Sequence, residues 1–166
     1  YQLDWYPRGH GSVTPSVTFG GQSDVGRGPP GILAERVQTV AVGSPLTLSV
    51  NATDTSERDL EDARMTEIPL RVVWSQLQGP GPVVYTRHES NPLPEAAAGG
   101  GGRGRTPQPQ TMRLPEGSGT ASVIVTFPVA GEYLMLAQVD NFDANDSGSQ
   151  DQCCWTNAYV RVNVTP

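Results

Sequence analysis

Apolar and polar positions alternate most regularly toward the carboxyl end of the chain. From Gly131 to Asp140, Tyr133, Met135, Ala137 and Val139 share one face, while Glu132, Leu134, Leu136 and Gln138 share the other. A period of two is that of a β-strand, and the leucines on the second face predict an inner strand covered on both sides. Upstream, Ala121, Val123, Val125 and Phe127 alternate with Thr120, Ser122, Ile124 and Thr126, and Pro128 to Gly131 supplies the turn between the two strands. The last segment sets Val160, Val162 and Val164 against Tyr159, Arg161, Asn163 and Thr165, which predicts a half-exposed closing strand over 158–165.

The same period runs through the first half. A strand is expected over Val37 to Val42, then a Gly43-Ser44-Pro45 turn, then Leu46, Leu48, Val50 and Ala52 inward with Thr47, Ser49 and Asn51 outward. Leu70, Val72 and Trp74 mark the buried side of another strand, followed by Gln78-Gly79-Pro80-Gly81-Pro82 and a short strand Val83 to Tyr85. Many short strands bounded by Gly and Pro predict an all-β sandwich over residues 35–166.

Two segments depart from that plan. Residues 1–34 read as an extended N-terminal arm carrying one exchangeable strand over 12–19, in which Val13, Pro15, Val17 and Phe19 fall on one face between Gly9-His10-Gly11 and Gly20-Gly21. Such a strand either forms an edge of its own sheet, which suits Pro15, or completes the sheet of a neighbouring copy. Residues 89–119, with Ala96-Ala97-Ala98 running into four glycines and a Pro/Gln stretch, are expected to be a low-complexity loop without a core of its own.

Composition narrows the function classes. Basic residues number 11, all Arg, against 17 acidic ones, for a net charge of −6, a balance that argues against nucleic acid. Without lysine there is no Schiff base and no phosphate-loop lysine. No apolar run reaches membrane-spanning length. The chain opens on Tyr1, which fits a removed leader peptide or a trimmed start.

Trp74, the Gly79-Pro80-Gly81 turn, the Ala/Val strand from Ala121 to Phe127, the Gly131-x-Tyr133 opening and the Val139-Asp140 close resemble the immunoglobulin-like domains of the PKD and PKD-like type found in surface proteins. The resemblance spans about residues 35–166 and implies an immunoglobulin-like β-sandwich in an extracellular, adhesive or structural setting. It carries over no catalytic residues.

Candidate chemistry is sparse. Three Asn-x-Ser/Thr sequons, at Asn51, Asn145 and Asn163, are glycosylation candidates, the first and last on the outward phase of their strands. Cys153 and Cys154 are the only cysteines and are adjacent. They are either two small half-buried thiols or a vicinal disulfide, the reading favoured here, with links to another chain as the remaining alternative. Asp140, Asp143, Asn145 and Asp151 lie in an acidic stretch in which Asp143, Asn145, Ser147 and Gly148 match the opening of a calcium loop, but Cys154 stands where the closing glutamate belongs, so a solvated turn is the preferred reading over bound Ca²⁺. His10 and His88 fall in loops and no nucleophile or metalloprotease motif is present, so no catalytic residue is assigned.

Two functions follow as expectations. One is a secreted, non-enzymatic subunit that assembles with copies of itself into an extracellular fibre or surface layer through the N-terminal strand. The other is a carbohydrate- or calcium-binding accessory module of a larger surface protein or secreted enzyme, using Trp155 with Asp140, Asp143 and Asp151.

Overall fold

The computed structural model describes residues 12–57, 69–92, 107–141 and 154–166. Within them the chain forms strands β1 (Ser16–Thr18), β2 (Gly26–Arg27), β3 (Ile32–Leu33), β4 (Gln38–Ala41), β5 (Pro45–Thr53) and β6 (Leu70–Gln78). It continues through β7 (Val84–Arg87), β8 (Thr111–Leu114), β9 (Ser118–Thr126), β10 (Gly131–Asp140) and β11 (Trp155–Thr165). One sheet has the order β2-β1-β5-β9-β7; the other runs β3-β11-β10-β6-β8, with β4 also paired to β11.

The inward phases of the two sheets meet in one core, with Val17, Val50, Ala121, Val123, Val125 and Phe127 from the first sheet facing Leu70, Val72, Trp74, Met135, Ala137 and Val162 from the second. Every inward residue expected on β9 and β10 is buried, because a strict period of two leaves a strand one way to hide its apolar side. The other face of β10 differs from expectation: Leu134, Leu136 and Gln138 are only half-buried. No second layer covers them among the described residues, and they share a partly wet face with cross-strand neighbours Arg161, Tyr159 and Asn157.

The segment expected as a separate arm is stitched into both sheets. β1 pairs with β5 of its own chain, Val17 opposite Ala52, and with β2, while β3 runs parallel to β11. The strand itself is three residues long rather than the eight expected over 12–19. Residues 89–119 also contain more structure than their composition announces. Met112 and Leu114 of β8 are buried, and β8 pairs with β6 along Leu70 to Val73. Four residues with one apolar alternation were hidden beside a long Gly, Pro and Gln run.

The residues of the Gly-Pro-Gly and Gly-x-Tyr motifs meet at one corner. The Tyr133 hydroxyl donates to the Val129 carbonyl at 2.9 Å, and its ring packs edge-on against Phe127 at 4.8 Å between centroids. Gly79 lies flat against that ring: a Cβ there would come within 2.2 Å of the Tyr133 ring carbon Cδ1. The turn needs glycine because the aromatic ring occupies the space a side chain would take.

Candidate functional site

The inward-facing residues that follow β10 and begin β11 are polar, and the N-terminal ribbon lies on them. Asn141 and Thr156 are both fully buried. Asn141 Nδ2 donates to the Val13 carbonyl at 3.1 Å, and Thr156 Oγ1 donates to the Pro15 carbonyl. The same Thr156 hydroxyl accepts from the Gly28 amide at 2.8 Å, so both of its hydrogen-bonding roles serve the N-terminal segment. On the other side the Val13 amide donates to Ser56 Oγ at 3.0 Å and Ser16 Oγ to the Thr53 carbonyl at 3.3 Å. The ribbon therefore runs in a slot whose walls supply partners for backbone groups that β5 alone does not pair.

Two side chains anchor it. Val17 has no exposed surface and Phe19 is 8% exposed. Burying each contributes roughly 1.5–3 kcal/mol. Pro15 is buried as well, whereas Val13, expected on the same face, is 42% exposed and lies outside the apolar row. The anchoring face is thus Pro15, Val17 and Phe19.

Cys154 closes the slot. Its sulfur is in a disulfide, and the only other cysteine in the chain is Cys153, which lies outside the described residues. The Cys154 sulfur sits 3.5 Å from the Ser12 carbonyl oxygen. A disulfide sulfur has no proton to donate, so this is a packing contact rather than a hydrogen bond. Cys154 is also the one non-glycine residue with positive φ among the described residues, at 80°, a conformation that costs energy unless its surroundings enforce it. Part of that enforcement is the bond from the Asn141 amide to the Cys154 carbonyl at 3.3 Å.

Asp140 sits on the opposite face of the sheet from this slot. Its carboxylate is fully buried, and Arg71 Nε and Nη2 donate to Oδ2 at 3.2 and 3.0 Å. The strand register puts the two residues directly opposite each other. Asp140, one of the calcium candidates, is therefore engaged by a guanidinium, while Asp143, Asn145 and Asp151 lie outside the described residues. No group of three or more metal-ligating side chains forms among the described residues. Trp155, opposite Asp140 on β11, is half-buried.

Of the sequons, Asn163 is exposed on β11, whereas Asn51 is half-buried and its Oδ1 accepts from Thr120 Oγ1 at 2.8 Å. Asn145 lies outside the described residues. His88, expected in a loop, follows β7 and bonds through Nδ1 with Ser90 Oγ at 2.8 Å.

Next to the ribbon, where Phe19 to Gln22 leave the first sheet, the seam between the sheets opens into a cleft of about 400 Å³. Its apolar floor is Phe19, Ala34, Leu48 and Val160, and polar groups of Gln22, Glu35 and Arg36 stand at its rim. Gln22 ties the rim together, donating to the Leu33 carbonyl at 3.2 Å and accepting from the Glu35 amide at 3.1 Å.

The slot residues Asn141, Thr156 and Ser56 were not picked out by motif. The available signal was phase: Thr156 keeps step with Ala158 and Val160 on β11, and a polar residue at an inward position needs a buried partner. No protein-family model matches the chain, and no curated protein matches its sequence.

Proposed function

We propose that this chain is an immunoglobulin-like domain of a secreted surface protein, and that it acts as a structural, non-enzymatic subunit joined to its neighbours by exchange of the N-terminal strand. Strand order supports the first part. In chain order β1, β5, β7 and β9 take the places of A, B, D and E in one immunoglobulin sheet, and β6, β10 and β11 those of C, F and G in the other. The buried Trp74 on the C-like strand and the Tyr133 hydroxyl turned back to Val129 match two further marks of that architecture. A disulfide-bonded Cys154 fits an oxidising, extracellular setting.

The observation that carries the second part is the construction of the ribbon slot. β1 is held by three residue pairs to β5, by two buried anchors and by side chains of distant strands, all of which a ribbon from another copy would meet identically. An element held by so few pairs and tethered through a glycine turn can be exchanged between copies at little net cost. Light scattering and electron microscopy across a concentration series test the reading. Assemblies should grow with concentration and shrink when a free peptide of residues 12–24 is added in excess; monomers at every concentration would contradict it.

A further inference from the structure

β5 is paired along its whole length on only one side. β9 covers Pro45 to Thr53, whereas β1 covers Asn51 to Thr53 and then leaves the sheet. No strand among the described residues pairs with Pro45 to Val50 on that side, and the cleft beneath Phe19 to Gln22 opens against Thr47, Leu48 and Ser49. An uncovered strand edge invites pairing unless a charge, a bulge or an internal proline blocks it. Leu46 to Ser49 contain none of these. The edge strands β2, β7 and β8 each carry an arginine.

The ribbon leaves the sheet at Gly20-Gly21. Gly21 has φ +80°, neither glycine has any atom within 4 Å of where a Cβ would stand, and the Gln22 amide closes the turn onto the Phe19 carbonyl at 3.2 Å. Within one chain this turn is obligatory, because the segment must double back to pair β2 with β1. A ribbon arriving from another molecule has no such obligation.

We infer that the open edge of β5 is a docking site for residues 19–24 of a second copy, which continue β1 in a straight line instead of turning. This rests on the strand-exchange reading above and adds to it a specific register. Extending the observed pairs of Ser16 with Thr53 and Thr18 with Asn51 places Phe19 opposite Val50, Gly20 opposite Ser49, Gly21 opposite Leu48 and Gln22 opposite Thr47. Inward positions then carry Phe19, Gly21 and Ser23, small beyond the existing anchor, and Asp24 stays on the outer face. The exchanged form forfeits the Gln22 bonds to Phe19, Leu33 and Glu35 and gains backbone pairing along β5. The diglycine accepts both shapes, since glycine visits positive φ and extended φ alike.

The test uses full-length chains. Gly21→Val should strain the turn, because a β-branched side chain is disfavoured at positive φ yet suits a strand, and should shift the chain from monomer to a species of at least double mass in light scattering. Separately, a Gln22→Cys chain mixed with a Thr47→Cys chain and oxidised should give a disulfide-linked heterodimer that Gln22→Cys mixed with Thr120→Cys does not. Assemblies that form without cross-linking above that control would overturn the straight extension while leaving exchange of β1 standing. Monomers only, in both the native chain and Gly21→Val, would overturn the extension and the exchange together.

Discussion

Thr156 holds the ribbon with a single hydroxyl, one bond given to Pro15 and one taken from Gly28, in a place without solvent access. Replacing it by valine keeps the shape and leaves both ribbon groups unpaired, so Thr156→Val should cost about 1–3 kcal/mol in chemical denaturation and speed amide hydrogen exchange around residues 15–18. Arg71 stands in a similar relation to Asp140: truncating it to alanine removes a charged partner from a buried carboxylate, with an expected loss of about 1–3 kcal/mol by chemical denaturation. Tyr85 is the opposite case, since its hydroxyl is buried with no well-formed hydrogen bond among the described residues. Burial pushes its pKa from 10.0 up to about 12, against an opposing pull from the Gln76 backbone. The folded chain therefore holds this proton more tightly than the unfolded one. That contribution is complete below pH 10 and lost as the pH rises toward about 12. Tyr85→Phe should remove this part of the alkaline loss, seen as a smaller difference between denaturation midpoints at about pH 9 and about pH 11. Motif residues such as Gly79 and Tyr133 were legible because their chemistry is local to a turn. The pairs Arg71–Asp140 and Thr156–Pro15 were not, because they join residues far apart in sequence.

Strands whose alternation extends over eight or more residues could be read directly, as β9, β10 and β11 illustrate. Burial at Ala121, Val123, Val125 and Phe127 follows from phase alone. β8 escaped notice because four residues carry too little periodicity to stand out beside a Gly/Pro/Gln run, and only its partner β6 supplies the reason for it to be extended. Its weight in the fold is nevertheless that of a core strand: Met112 is 4% exposed, so Met112→Ala should cost about 2–5 kcal/mol by denaturation. If β8 were a dispensable part of a loop, the loss would be near zero. β1 was legible as an apolar face but not in its length, since the proline at 15 and the glycines at 20 and 21 confine regular pairing to Ser16–Thr18.

At the scale of the molecule, the arm and the body are one construction: the N-terminal segment supplies strands to both sheets and anchors to the core. Sequence separated them because the segment is rich in glycine and proline, and those residues mark turns whether or not the pieces between them are buried. The strand order then defines which exchanges are geometrically open, and β1, joined to β5 by three residue pairs and followed by the diglycine turn, is one of them. The most direct measurement of that exchange is an isotope-filtered NOE experiment on a one-to-one mixture of full-length chains, one copy labelled with ¹⁵N and the other with ¹³C, unfolded together and refolded. The account predicts a cross-peak between the Val17 amide of one copy and the Ala52 methyl of the other. A cross-peak seen only when a single chain carries both labels would contradict it.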